Sequence, residues 1–310
     1  MDLDIVGLIG LVFLALVPYI FASQGTMLAG QTGLFNVSQE GIMLSSASIG
    51  FLAADKFDNL WAGVLTALLV GAVFGFTFAF FTTTLNMNQF VVGLALFFIG
   101  AALSTLAFKL AVGVTLTPPI VDTLNKIPIP GLSTLPIIGE VLFNQNIFVY
   151  LSILLSAALY YFLYKTSWGL ELRSVGENPK AADSLGVDVV RARYLAATVG
   201  GMLVALAGVY LPLVYTGTFT EGITQGRGWL STALTFFGGW RPHTIFIGGL
   251  FFALVEVIAL RVQVLGQGVP HQVLLTLPYV ATLLVMVFGT KWSRVPSYLG
   301  SNYDREKRSV

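Results

Sequence analysis

The sequence predicts an all-α fold: a polytopic transmembrane helical bundle of about nine spans, eight to ten allowed by the punctuation, with interrupted helices near its centre. Composition is the first observation behind this. The 310 residues are 56% hydrophobic and 10% charged, against about 25% charged in an average soluble domain. A soluble chain of this length would lack the polar surface to cover itself. The second observation is repetition: apolar runs near the ~20 residues that cross a bilayer recur along the chain, and mean hydropathy is +0.84. The third is punctuation, because Gly, Pro and Asn fall between the runs rather than at random. No cysteine is present, which removes disulfides, thiolate nucleophiles and Cys-based metal sites. A net charge of +1 gives no footing for nucleic acid.

The first run, 3–22, follows Asp2 and Asp4 instead of a basic segment, so it reads as a retained span and not a cleaved signal. A broken segment, 30–41 (GQTGLFNVSQEG), comes next. Asn36 and Gln39 stand at capping-box spacing, so a helix is expected to begin at Asn36 and continue as a span over 41–54. Residues 60–84 form the third span and 90–110 the fourth, separated by the turn at Asn86, Met87 and Asn88. The stretch 111–145 carries Pro118, Pro119, Pro128, Pro130 and Pro136 and must lie outside the bilayer core. Residues 147–164 are the fifth span, and a polar loop, 167–192, follows. Four more spans are expected at 194–214, 223–237, 245–262 and 273–288, with a second Gly-broken segment at 217–229. Residues 1–290 thus make one transmembrane domain, and 291–310 a basic tail.

The polar loop carries its own helix signals. Asn178 is an N-cap residue, Pro179 suits the first helical position, and Gly186 ends a short helix. Asp188 can cap the next run. A helix with Ala181, Ala182 and Leu185 on one side is built to touch something outside the bilayer.

Basic residues orient the bundle. With the polar loop in the cytoplasm, Lys165, Arg173, Lys180, Arg191, Arg193, Arg241, Lys291, Arg294, Arg305, Lys307 and Arg308 fall inside. Lys56, Lys109, Lys126, Arg227 and Arg261 fall outside or near the outer boundary. Basic loops resist translocation, so the N-terminus is expected outside and the tail in the cytoplasm, in a multi-pass plasma-membrane protein. The 111–145 loop is then extracytoplasmic.

Three separated motifs carry a family resemblance. GLFNVSQEGIMLSSA at 33–47, LRSVGENPKAADSLGVDV at 172–189 and GITQGRGWLSTALTFFGGWRP at 222–242 together resemble the permeases of branched-chain amino acid, simple sugar and nucleoside ABC importers. The GENP-x-A-A run with the downstream GRGW is most similar to the nucleoside branch that depends on basic membrane lipoproteins, although Trp229 stands where Phe is the more usual residue. The resemblance implies a permease subunit that forms the path for a small polar solute, nucleosides first and simple sugars next. It implies a second permease, a different chain; an ATP-binding cassette subunit that holds ATP and Mg; and an extracytoplasmic solute-binding lipoprotein. No cofactor or metal belongs to this chain. It also implies that Glu177, Asn178, Pro179, Ala181, Ala182, Asp183, Leu185 and Gly186 form the coupling helix against the ATPase subunit.

No Walker A pattern occurs, so this chain is expected not to be an enzyme. No catalytic constellation appears either, since His243 and His271 fall at opposite membrane faces. An uncharged, hydroxyl-rich solute needs amides and hydroxyls along its path. Asn36, Ser38, Gln39, Asn88, Gln89 and Gln225 are the candidates, with Glu40 and Arg227 as charged residues in the same segments. Glu40 reads either as an anchor for a helix start or as a solute contact. An ion-coupled secondary transporter is the alternative, and Glu40 and Glu256 are the intramembrane carboxylates it would rest on.

Overall fold

Every described long apolar run forms a helix, and polar caps set where most of them begin. The computed structural model describes residues 5–113, 119–131, 133, 138–264, 276–277, 279–281, 283, 287 and 294–303. Helix α1 runs Ile5–Gly30 and α2 runs Gln39–Phe57. Asn59 accepts from the Trp61 amide and starts α3, Leu60–Ala79, which widens into a π-helical turn at Phe80–Thr84. Asn88 caps α4, Gln89–Val112, by accepting from the Val91 amide. Strands β1 (Lys126–Pro128) and β2 (Asn144–Asn146) pair antiparallel, with the short α5, Ile138–Leu142, between them. Asn146 caps α6, Ile147–Lys165. Thr166 caps α7, Ser167–Glu177, and Asn178 caps α8, Pro179–Ser184, with Pro179 at its first turn. Asp188 caps α9, Val189–Tyr210, which continues as a π-helical segment over Leu211–Thr216. The last described helices are α10, Arg227–Phe237, and α11, Pro242–Val264.

Among the described residues six helices are long and apolar enough to cross a membrane: α1, α3 with its π turn, α4, α6, α9 with its extension, and α11. The 19-residue α2 reaches about 28 Å. The expected span 223–237 is not one. Its helix, α10, has 11 residues and is about 16 Å long, half of a ~30 Å core. The expected start of α2 at Asn36 is also corrected, since the helix begins at Gln39 with Ser38 as an N-cap that makes no side-chain bond. The Pro-rich stretch from 111 holds α5 and a hairpin that closes at Asn146, neither suggested by composition, and the polar loop 167–192 opens with a helix, α7. Most of the expected span 273–288 lies outside the described residues, as do Asp2, Asp4, His271, Lys291 and 304–310.

The interior is built from α1, α2, α3 and α9, whose buried side chains form one continuous cluster with Tyr210, Trp240 and Phe252. Backbones come close where small residues face each other. A Cβ added at Gly71 would stand 2.3 Å from the Gly201 carbonyl, so α3 and α9 touch main chain to main chain. Hydroxyls and amides join the helices. Ser48 donates to the Ser104 carbonyl and Ser104 to that of Leu44, tying α2 to α4. Ser23 donates to the Ser231 carbonyl and Thr235 to that of Ser23, tying α1 to α10.

The tail is not wholly free. Residues 297–302 run as a strap across the end of the bundle that carries α8. The amides of Tyr298 and Gly300 donate to the carbonyls of Gly176 and Gly33. The Ser301 carbonyl accepts from Gln89 and from the buried guanidinium of Arg193, which also donates to the Thr32 carbonyl.

Candidate functional site

The two chain breaks foreseen in the sequence meet inside the bundle. Between α1 and α2, residues 34–38 are not helical. They run alongside α4: Phe35 donates its amide to Gln89, Val37 packs on Gly93, and Gly41 packs on Gly100. Gly100 lies eleven residues after Gln89, about 16 Å along α4, so α2 starts in mid-bundle. The second break, 217–226, enters from the other end. Glu221 pairs with Lys109 at 3.1 Å in the last turn of α4, and Trp229 stacks edge-on with Phe97, ring centroids 5.3 Å apart. From the Lys109 level to the Phe97 level is twelve residues of α4, about 18 Å.

Glu40 joins the breaks. One carboxylate oxygen accepts from the Thr224 hydroxyl at 2.5 Å and the Gly226 amide at 2.9 Å, and the other accepts from the Gly228 amide at 2.7 Å. Those amides form the N-terminus of α10, which has no side-chain cap of its own from Gly226. A carboxylate there satisfies orphan donors and opposes the positive end of the helix dipole. The approach requires glycine at 228, where a Cβ would meet the Glu40 backbone nitrogen and Cα at 2.6 Å. Gly228→Ala is therefore expected to destabilise the protein by about 1–3 kcal/mol through overpacking. Thermal unfolding in detergent checks it, and an unchanged midpoint would show that the two breaks can separate freely.

A second cluster lies beside the first. Arg227 reaches Glu256 of α11 at 2.5 Å, and its other nitrogen donates to the Thr224 carbonyl at 3.2 Å. Tyr19 of α1 donates to the remaining Glu256 oxygen at 2.7 Å. Arg227 is thus a buried ion-pair partner and not a residue of the outer boundary, as its charge alone had suggested.

The pathway candidates divide. Asn36, Ser38, Gln39 and Glu40 are buried at the first break. Asn36 accepts from the Ser38 amide, and Gln39 donates to the Asn36 carbonyl. The Ser38 hydroxyl and the Gln39 carbonyl oxygen have no hydrogen-bond partner among the described residues. Gln225 is exposed at the second break, its backbone at φ +47°. Asn88 and Gln89 are not brought to this place. They lie at the α8 end of α4, Asn88 as its cap and Gln89 as a clamp on Phe35, Ser301 and Asn302. Thr224, Gly226, Gly228 and Tyr19 belong to the clusters and were not singled out in the sequence. The glycines flanking Arg227 were the available signal for a helix start, whereas a phenol inside an apolar span gave none.

The coupling-helix candidates form a surface with an inner and an outer side. Pro179 and Ala182 are buried, Ala182 in a small cluster with Val175 and Val189. Ala182 is therefore a core residue and not a docking contact, because the helix needs it to sit on α7 and α9. Outward face Glu177, Asn178, Ala181, Leu185 and Gly186, with Leu185 86% exposed, while Asp183 is half-buried. Glu177 accepts from Ser297 of the strap. The end of α8 is closed by paired bonds from Gly186 to Asp183 and from Val187 to Ala182, with Gly186 at φ +90°. A groove of about 480 Å³ beside it is lined by Thr83, Asn86, Asp183, Gly186, Asp188 and Tyr303 among others.

Among the described residues no His, Asp and Glu cluster could hold a metal ion. His243 packs edge-on against Tyr160, centroids 5.4 Å apart, in an apolar groove.

Residues 7–290 match the family described as branched-chain amino acid transport system, permease component. The chain is 32% identical to a candidate glucose ABC transporter permease protein of Haloferax volcanii, over 97% of this chain and 98% of that one. It is 30% identical to a nucleoside ABC transporter permease protein of Lactococcus lactis and 28% identical to a guanosine ABC transporter permease protein of Bacillus subtilis, each over 94% of both chains.

Proposed function

Because the chain belongs to the branched-chain amino acid type ABC permease family and is an integral membrane permease, we propose that it forms the importer's path for a neutral, ring-bearing polar solute, nucleosides first and simple sugars next. The observation that carries the solute class is electrostatic. A half-helix N-terminus inside a transporter is a ready site for an anion, but here Glu40 already occupies it. Arg227 is likewise neutralised by Glu256. The region where the breaks meet therefore has its helix N-terminus and its guanidinium already taken by protein carboxylates, and what it offers a solute is amides and hydroxyls. The full-length relatives named for glucose, nucleoside and guanosine transport support the same class. With both carboxylates committed to protein donors, an ion-coupled carrier has no free acid to work with. Uptake of labelled adenosine and glucose by the complete transporter in vesicles tests the reading, and preferential uptake of a charged amino acid would overturn it.

Hydrolysis of ATP with Mg belongs, on this reading, to a separate cassette subunit docked at α8, with Ala181 and Leu185 as the apolar contacts. A second, different permease completes the path, and an extracytoplasmic lipoprotein delivers the solute. The α8 end is cytoplasmic, with the N-terminus outside. Since the chain has no cysteine, one placed at Ser184 should resist an impermeant thiol reagent in intact cells and one at Thr123 should label. Labelling of Ser184→Cys from outside would reverse the orientation.

A further inference from the structure

Trp229 is the one exposed residue of α10, 38% accessible on a helix whose other side chains are buried or half-buried. Its depth decides what that exposure means. It stands at the level of Phe97 on α4, below a stretch of irregular chain in which Thr220, Glu221, Gly222 and Gln225 are also exposed. That stretch falls through about 18 Å of the bundle as a series of turns, closed by amide-to-carbonyl bonds from Ile223 to Thr220, Gln225 to Gly222 and Arg227 to Thr224. Non-helical chain at membrane depth lines water or lies against protein, and the exposed polar side chains of Thr220, Glu221 and Gln225 would be desolvated against lipid. The exposed face of 220–229 is thus a polar wall with one large aromatic ring at its inner end.

Resting on the solute class argued above, we propose that Trp229 is a specificity-determining residue of the path, the platform on which the ring of the solute stacks as it passes the start of α10. Phe97 meets the indole at an interplanar angle of 69°, an edge contact that fixes the ring's orientation by packing. The exposed side chain of Gln225, in the turn just before α10, supplies amide donors and acceptors for hydroxyls or ring nitrogens beside it. A flat ring over an aromatic face is held without charge, which suits a place where the helix N-terminus and the Arg227 guanidinium already have their carboxylate partners in Glu40 and Glu256. Phenylalanine at 229 preserves such a platform and alanine or cysteine removes it.

Two arms test this on the complete transporter in vesicles. In the first, Trp229→Ala should lower uptake of labelled adenosine or glucose about tenfold or more, as loss of one stacking contact predicts, while Trp229→Phe retains most of it. In the second, Trp229→Cys, unique in a cysteine-free chain, should react with a charged water-soluble thiol reagent and be protected by whichever solute is carried. No reaction with that reagent, because lipid or the second permease covers the site, overturns the proposal. Reaction without protection, or normal uptake by Trp229→Ala, overturns it as well. A wild-type transporter that carries neither probe fails the solute class itself, and aqueous labelling at 229 still decides whether this side chain faces the path.

Discussion

Replacing Arg227 with leucine is expected to abolish most of the folded permease, and pairing that change with Glu256→Gln is expected to restore most of it. The two side chains are 11% and 10% exposed and lie between α1, α10 and α11. Taking one charge from a buried pair leaves the other desolvated, at a cost of about 3–5 kcal/mol. That is a large part of the 5–15 kcal/mol that holds a typical domain together. Glutamine at 256 removes the orphaned charge and keeps an acceptor for the Tyr19 hydroxyl, whose loss would cost a further ~1–3 kcal/mol. Yield of monodisperse protein and the thermal midpoint in detergent are the measurements. A single Arg227→Leu variant as stable as wild type would mean that water reaches the pair, and a double variant no better than the single would mean that the guanidinium's bonds to the backbone matter more than its charge.

The legible parts of this fold were those written in local chemistry. Caps at Asn178 and Asp188 stand where their residue types place them, because each needs only its own side chain and an amide three residues on. Apolar length located α1, α3, α4, α6, α9 and α11. Glycine density located both breaks. What was not legible depended on partners far along the chain. Nothing near Glu40 announces that its donors come from residues 224–228, and nothing near Arg227 announces Glu256 or Tyr19. Length misled at 223–237, since apolar content there extends past a helix that starts only after Gly226. Asn36 and Gln39 misled by spacing: their side chains bond to each other's segment, but the helix starts three residues later. The strap in the tail was not legible either, because the carbonyls of Gly33 and Gly176 bind it through backbone amides that no side chain announces.

The largest functional effect is expected at Leu185. Replacing it with aspartate should leave insertion and thermal stability near wild type while abolishing both capture of the ATP-binding subunit and uptake. At 86% exposure the leucine makes almost no contact within this chain, so its exchange costs the fold little, within the ~0.5 kcal/mol typical of surface sites. Burying it against a partner would instead contribute about 1.5–3 kcal/mol, and a desolvated aspartate would cost more than that gain. Ala182 offers the contrast on the same short helix. It is 3% exposed and packed on Val175 and Val189, so Ala182→Arg should unseat α8 from α7 and α9 and lower stability as well as transport. Size-exclusion profiles and pull-down of the ATPase separate the two cases: Leu185→Asp gives a folded permease alone, Ala182→Arg a damaged one. A Leu185→Asp permease that still co-purifies with its ATPase and transports at the normal rate would remove the docking role from this helix. A well-folded Ala182→Arg permease would contradict the inward packing that lets α8 move as one piece with α7 and α9.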